Sequence, residues 1–223
     1  MSFINPPTSI NELMTRARQL SGRTLGDLAN QHAANMPDNL LIEKGWIGQF
    51  IEQLLGATAG SLPEPDFPQL GVELKTIPID ETGKPLESTY VSVVHLMNTH
   101  REQWHNSLVR KKLAKVLWFP IVSLKGVAIQ QRMVATPVLW SPSPEQEAVL
   151  RCDWEDAMEK VMLGQLGQLN SRFGEALQIR PKAANASVLT EAIGPDGDII
   201  KTLPRGFYLR SNFTRSILES LCY

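Results

Sequence analysis

Cysteine is nearly absent. Cys152 and Cys222 are the only two in 223 residues, far apart and in no metal-ligand spacing. That argues against a disulfide framework, leaves at most one bridge, and points to a reducing compartment. Long hydrophobic runs are missing too: the most apolar stretch, VLWFPIVSL at 116–124, contains Pro120 and is about half of what spans a bilayer. It reads as buried strand. The N-terminal MSFINPPTSINELM lacks a basic start followed by an apolar core, so no secretory leader is expected. No G-x-x-x-x-G-K-S/T phosphate loop, G-x-G-x-x-G fingerprint or G-x-S-x-G elbow occurs, which argues against nucleotide hydrolysis, a dinucleotide cofactor and serine-hydrolase chemistry. His95, His100 and His105 recur at a five-residue spacing that changes face on either a helix or a strand, so a histidine metal cluster is not expected.

What is present is an ordinary globular composition, 43% hydrophobic and 20% charged, with 15 Gly and 15 Pro spread along the chain. A chain of this length buries roughly 70% of its unfolded surface and needs no staple. The formal net charge of −1, from 22 Lys+Arg against 23 Asp+Glu, argues by itself against a polyanion binder. Its distribution argues otherwise. Arg101, Arg110, Lys111, Lys112, Lys115, Lys125 and Arg132 share their segment with the single acid Glu102, whereas residues 145–159 hold six acids and only Arg151. Such segregation lets one face attract phosphates while another repels them or meets a protein; the plainer reading is solvated faces of unrelated helices.

Period and punctuation predict helices first and a sheet after. Ser9 and Glu12 stand in capping-box spacing before Leu13, Ala17 and Leu20, and Gly22 stops that helix. Thr24 caps a second helix, and EKGWIGQFIEQLLGA forms a third. From residue 70 onward, VELKTIPI, STYVSVVHL, AKVLWFPIVSL and GVAIQQRMVATPVLW read as strands of one mixed sheet. Residues 152–174 follow as a helix with a core-facing stripe and Gly174 as its stop. The tail gives ALQIRPK, a hairpin IGPDGDIIKTL, GFYL, and a short helix after Asn212. The whole, 1–223, reads as a single α/β domain.

The stretch EPDFPQLGVELK concentrates chemistry. Strand alternation puts Glu73 and Lys75 on one face, and Pro68 and Gly71 make a bend that swings Asp66 toward Glu73. Adjacent carboxylates repel unless a divalent cation sits between them, and oxygen-only donors favour Mg²⁺, Mn²⁺ or Ca²⁺. With Lys75 as the cation facing a phosphate, the set suits phosphodiester hydrolysis. A charged strand edge with an incidental acid is the competing reading. On the third helix, Gly45, Gly48, Glu52 and Gly56 lie opposite the apolar face, a glycine stripe that suggests close approach of another group. Glu52 is either a third carboxylate of the site or a solvated helix acid. Arg180 and Lys182 in QIRPKAANA, and Arg205, Arg210 and Arg215 interleaved with Phe207, Tyr208 and Phe213, suit phosphate contact, stacking or base reading, or else close the core as strand-end loops.

The blocks LSGRTLGDLA, KGWIGQFIEQLLGATAGSLPEPDFPQLGVELKTIP, VRKKLAKVLWFP, VLWSP, LQIRPKAANASVLTEAIG and TLPRGFYLRSNFT, in this order over most of the chain, resemble the MutH family. The resemblance implies a restriction-endonuclease-like α/β fold: a mixed β-sheet flanked by helices, with N-terminal and C-terminal arms forming a DNA-binding cleft. It implies Mg²⁺-dependent incision 5′ to the G of GATC, on the unmethylated strand of hemimethylated DNA, stimulated by MutL after MutS finds a mismatch. Mn²⁺ or Ca²⁺ is expected to enter the same site, Ca²⁺ without catalysis.

Carried over by position, Asp66, Glu73 and Leu74 are the implied metal ligands, Lys75 the catalytic lysine, Glu52 an accessory acid and Lys112 a further active-site or DNA-contacting base. Lys44, Tyr90, Arg180, Lys182 and Tyr208 are the implied DNA-binding residues, with Tyr208 the best candidate near the adenine methyl group and Tyr90 standing where phenylalanine is expected in the family's best-known member. A monomer in the bacterial cytoplasm, at the nucleoid during repair, is implied as well. The acidic 145–159 segment or the terminal helix is the expected docking surface for MutL. A stand-alone GATC endonuclease and a non-catalytic DNA-binding module remain as alternatives.

Overall fold

The computed structural model describes residues 4–37, 45–170, 172–183, 185 and 187–221. Lys44 and Cys222 lie outside the described residues. The helices are α1 (Ile10–Leu20), α2 (Leu25–Gln31), α3 (Trp46–Leu55), α4 (Leu108–Leu113), α5 (Pro144–Met162) and α6 (Ser211–Leu221). The strands are β1 (Glu73–Ile79), β2 (Thr89–Val93), β3 (Val116–Val122), β4 (Met133–Val134), β5 (Val138–Trp140), β6 (Leu177–Pro181), β7 (Thr190–Ile193), β8 (Ile199–Thr202) and β9 (Arg205–Leu209). No helix among them is long and apolar enough to cross a membrane. The chain divides into two compact units, each assembled from separate segments.

The first unit comprises Met1–Glu87, Ala114–Ser141 and Arg215–Tyr223. Its sheet runs β1-β3-β4, with β5 also on β3. β1 and β3 are parallel, with Glu73 opposite Val116 and Lys75 opposite Trp118. Alternation along β1 and β3 gives the helices one apolar face: Leu74, Leu117, Phe119 and Ile121 join Leu13, Leu25, Phe50, Ile51 and Leu55 in the core. Ser9 and Thr24 cap α1 and α2 through their side-chain oxygens, as their positions in the sequence predict.

The glycine stripe resolves differently. Gly45 and Gly56 are the two caps of α3, both in the left-handed region at φ 92° and 79°. What approaches Gly56 is the chain itself: a Cβ there would stand 2.6 Å from the carbonyl oxygen of Asn5. Only Gly48 lies inside the helix.

The second unit comprises Ser88–Leu113 and Pro142–Thr214. β2 does not extend the β1 sheet as expected; it pairs antiparallel with β9, which pairs antiparallel with β6. β7 and β8 form the expected hairpin, closed by Gly194 N–H on the Asp198 carbonyl at 2.8 Å. The long helix also differs from its expected bounds. It begins at Pro144 behind a Ser143–Gln146 capping box and ends at Met162, where Gly164 (φ 68°) turns the chain. Gly174 is not its stop; it serves a tight turn before β6, where a Cβ would lie 1.9 Å from the carbonyl oxygen of Leu177.

That turn is held by Asp153 of α5. Its buried carboxylate accepts the backbone N–H groups of Glu175 (2.9 and 3.0 Å), Ala176 (2.7 Å) and Leu177 (2.8 Å). An ionised acceptor binding several amides makes a strong local anchor, and it fixes where β6 starts.

Candidate active site and nucleic-acid interface

Six residues separate Asp66 from Glu73, and a closed turn brings them together. Proline pre-sets the 3-10 turn Pro68–Leu70, and Gly71 follows at φ 63°, a conformation glycine takes without strain. Phe67 N–H donates to the Val72 carbonyl at 2.9 Å and Val72 N–H donates back at 3.3 Å, while both side chains sit in the core. With Phe67 opposite Val72, the next pair outward along the ladder is Asp66 and Glu73. Leu74 N–H then donates to Asp66 Oδ2 at 2.7 Å. The Asp66 carbonyl is in turn held by Thr58 N–H at 3.0 Å, which ties the turn to the segment after α3.

Both acids are buried, Asp66 at 7% and Glu73 at 1% exposure. Glu73 N–H donates to the Lys115 carbonyl at 3.0 Å, which starts the parallel pairing of β1 with β3. Lys75, one strand period on, donates from Nζ to Glu73 Oε1 at 2.5 Å. Burying an unpaired carboxylate costs several kcal/mol, and this ion pair offsets that cost for Glu73. Asp66, Glu73 and Lys75 together carry one net negative charge. The side-chain donors are oxygens only, with backbone carbonyl as the further choice at Leu74, whose side chain is in the core. This set fits a hard divalent cation and not the nitrogen and sulfur preference of zinc.

Glu52 projects from α3. A Cβ on Gly48 would lie 3.6 Å from Thr76 Oγ1 and 3.8 Å from Glu52 Oε1, so the Glu52 carboxylate lies along the Gly48 side of α3. Thr76 alternates to the face of β1 opposite Glu73 and Lys75. Among the described residues, no group of three or more acid, histidine or cysteine side chains is clustered as a metal site, so the side-chain donors named here are those of Asp66 and Glu73. Lys112 belongs to the second unit, half-buried on α4 beside exposed Arg110 and Lys111.

The DNA-binding candidates that are described come together in the second unit. One face of β2-β9-β6 is packed through Val91, Leu177, Ile179, Phe207 and Leu209. The other carries Tyr90 of β2 opposite Tyr208 of β9, their rings edge to face at 5.4 Å and 64°. The Arg180 guanidinium stands 5.7 Å from the Tyr208 ring centre and donates to Ser88 Oγ at 2.7 Å. Lys182 Nζ stands 3.2 Å over the Tyr90 ring. Two aromatic faces flanked by two exposed cations can stack on bases and pair with phosphates.

Two other arginines of the tail have structural partners. Arg210 donates to the Phe173 carbonyl at 2.8 Å and Arg215 pairs with Glu219 at 2.6 Å. Arg205 is half-buried, and desolvation pushes its pKa below the ordinary guanidinium value. The segregated charges also meet: Arg110 Nε donates to Glu147 Oε1 at 2.7 Å.

Sequence reasoning missed Ser88, Asp153, Thr76 and Gly206. Only Gly206 had a legible signal, its position two residues before Tyr208 and hence on the same strand face.

Comparison with known proteins shows the family. The family described as DNA mismatch repair enzyme MutH matches residues 55–153. The DNA mismatch repair protein MutH of Vibrio cholerae serotype O1 is 52% identical over 213 residues, covering 96% of each chain. That of Shewanella amazonensis is 54% identical over 214 residues, again 96% of each. The Shigella flexneri protein of the same name is 52% identical over 216 residues, covering 97% of this chain and 94% of its own.

Proposed function

The chain belongs to the MutH family of DNA mismatch repair enzymes, and from that premise we propose that it is a Mg²⁺-dependent endonuclease that nicks the unmethylated strand 5′ to the G of hemimethylated GATC. We take MutL as its activator, acting once MutS has found a mismatch. The observation that carries the reading is the burial of Asp66 and Glu73 side by side, with Lys75 on the same strand face.

In this reading Asp66, Glu73 and the Leu74 backbone carbonyl hold the cation. When bound, Mg²⁺ supplies a Lewis acid for the attacked phosphate and charge stabilisation for the leaving oxygen. The chain's own groups do the rest. Leu74 N–H fixes one oxygen of Asp66 so that its carboxylate is set before the cation arrives. Glu73 holds the Lys75 ammonium at the site, where it donates to a phosphate oxygen or orients the attacking water. Glu52 acts as an accessory acid, and Lys112 as a second cation for the backbone.

Recognition falls to Tyr90, Arg180, Lys182 and Tyr208, with Lys44 added by family position. An N6-methyl group adds bulk at the major-groove edge of adenine and removes one donor hydrogen, so a packed aromatic edge discriminates it by shape. Lys182 and Arg180 supply the phosphate and base contacts around it.

The test is incision of a GATC duplex in unmethylated, hemimethylated and fully methylated forms, with Mg²⁺ or EDTA, by wild type, Asp66→Ala and Lys75→Ala. Metal-dependent nicking confined to unmethylated strands and lost in both variants is the expected result. Binding without any cutting, even with MutL and ATP, would leave a DNA-binding module and sink the endonuclease reading.

A further inference from the structure

Gly206 is not explained by its backbone. Its φ is not among the left-handed values, so any residue could adopt the local conformation. Space explains it. A Cβ at this position would stand 2.9 Å from Tyr90 Cε2, 3.2 Å from Tyr208 Cε2 and 3.3 Å from the Ser92 carbonyl oxygen. Gly206 and Tyr208 share one face of β9, and Arg180 lies directly across on β6. On the other side the ladder between β2 and β9 slips between Tyr90 and Ser92, a bulge that leaves Val93 opposite Gly206. Bulges of this kind re-aim a side chain, and here Tyr90 leans over the glycine.

We propose that Gly206 is a positioning residue for base recognition: its missing side chain is the socket that sets the mutual placement of the Tyr90 and Tyr208 rings, and with it the discrimination of methylated from unmethylated adenine. This rests on the reading of that face as the GATC reader. A methyl group at 206 meets a backbone carbonyl on one side that the sheet holds in place. The two rings must therefore give, by rotation about their own side-chain bonds. The pair then presents a different edge to the groove, while the packed face through Phe207 and Leu209 is untouched. A misplacement of about 1 Å is enough to cost a reaction about 10²-fold, so a ring shift of a fraction of that is expected to register in the rates.

The experiment is a double-mutant cycle with Gly206→Ala and Tyr90→Ala in the full chain. It reads the ratio of incision rates on hemimethylated over fully methylated GATC, the Kd for a GATC duplex over a scrambled one, and the thermal midpoint. Gly206→Ala alone is expected to lower the selectivity ratio roughly tenfold, about the discrimination of one base contact. In the Tyr90→Ala background, where the nearest ring atom is gone, the same alanine is expected to cost less than twofold further. Selectivity within twofold of wild type, or an equal cost of the alanine in both backgrounds, overturns the proposal.

Should Gly206→Ala alone fail to fold, the double variant decides. A folded double variant supports the ring contact, and an unfolded one overturns it, because the Ser92 carbonyl and not the rings would then exclude the methyl. Wild type runs beside every variant. If it nicks GATC without regard to methylation, the recognition reading falls and takes this proposal with it; if it discriminates and Gly206→Ala matches it, only the role of Gly206 falls.

Discussion

Replacing Asp153 by alanine removes an acceptor that holds three consecutive backbone amides, those of Glu175, Ala176 and Leu177. Hydrogen bonds to a charged group contribute roughly 1.5–3 kcal/mol each, and a buried amide left without a partner costs about 1–3 kcal/mol. Glu175 is exposed, so water replaces the carboxylate there; Ala176 and Leu177 are buried and have no such replacement. The expected loss is therefore about 3–4 kcal/mol, close to the full cost of two stranded amides after partial relaxation. At this chain length that corresponds to a fall of roughly 10 °C in Tm.

Urea unfolding followed by circular dichroism measures it, with the slope unchanged if only the native state is affected. Asp153→Asn keeps one acceptor oxygen but turns an NH₂ group toward amide donors, so it should recover no more than about half of the loss. The consequence for function is specific. Leu177 opens β6, the strand that carries Arg180, so DNA binding should weaken in Asp153→Ala below its unfolding temperature while the Asp66 turn stays intact. A loss under about 1 kcal/mol would refute the reasoning, since it would mean that the three amides find other partners at little cost.

Glu73→Gln removes half of the carboxylate charge of the proposed ion site and the anionic partner of Lys75; we expect incision to fall by roughly 10²–10⁴-fold and Mn²⁺ binding by calorimetry to weaken, and wild-type rates would move the chemistry elsewhere. Lys182→Ala takes a cation off the Tyr90 ring, so the slope of log K against log[salt] should drop by about 1 with little change in sequence preference; an unchanged slope would show that Lys182 meets no phosphate.

Arg110 gives a pH-dependent case. Its hydrogen bond is the main cause that lowers the pKa of Glu147 from the ordinary 4.5, helped by Trp104. A folded pKa below the unfolded one contributes stability above pH 4.5 that is lost as pH falls through the lower folded value. The pair is partly exposed and worth only about 0.2–1 kcal/mol. Arg110→Gln should thus lower the urea midpoint slightly at pH 7, and the difference from wild type should shrink as pH falls through the lowered folded pKa of Glu147. A difference that persists in acid would assign the effect to packing of the arginine stem instead.

The sequence by itself determined the local features. Ser9 and Thr24 capped helices where their spacing said they would, because a cap is a contact over three residues. Glu73 and Lys75 share a strand face by alternation alone, and the Pro68–Gly71 turn was legible from residue chemistry. Tertiary structure decided whatever depends on contacts distant in the chain. The strand STYVSVVHL leaves β1 for β9 and β6, since pairing partners more than a hundred residues apart leave no mark on periodicity.

The helix expected over 152–174 starts at Pro144 and ends at Met162. Gly174 is needed for a turn locked by Asp153 and not for a helix stop. Glu52 shares a helix face with Gly48, but the group its carboxylate meets is set by how α3 packs on the sheet and not by the helix pattern. The burial of Asp66 and Glu73 is likewise tertiary: core packing of Phe67 and Val72 drags two charged neighbours out of water, a cost that no local pattern reveals and that a bound cation and Lys75 are suited to offset.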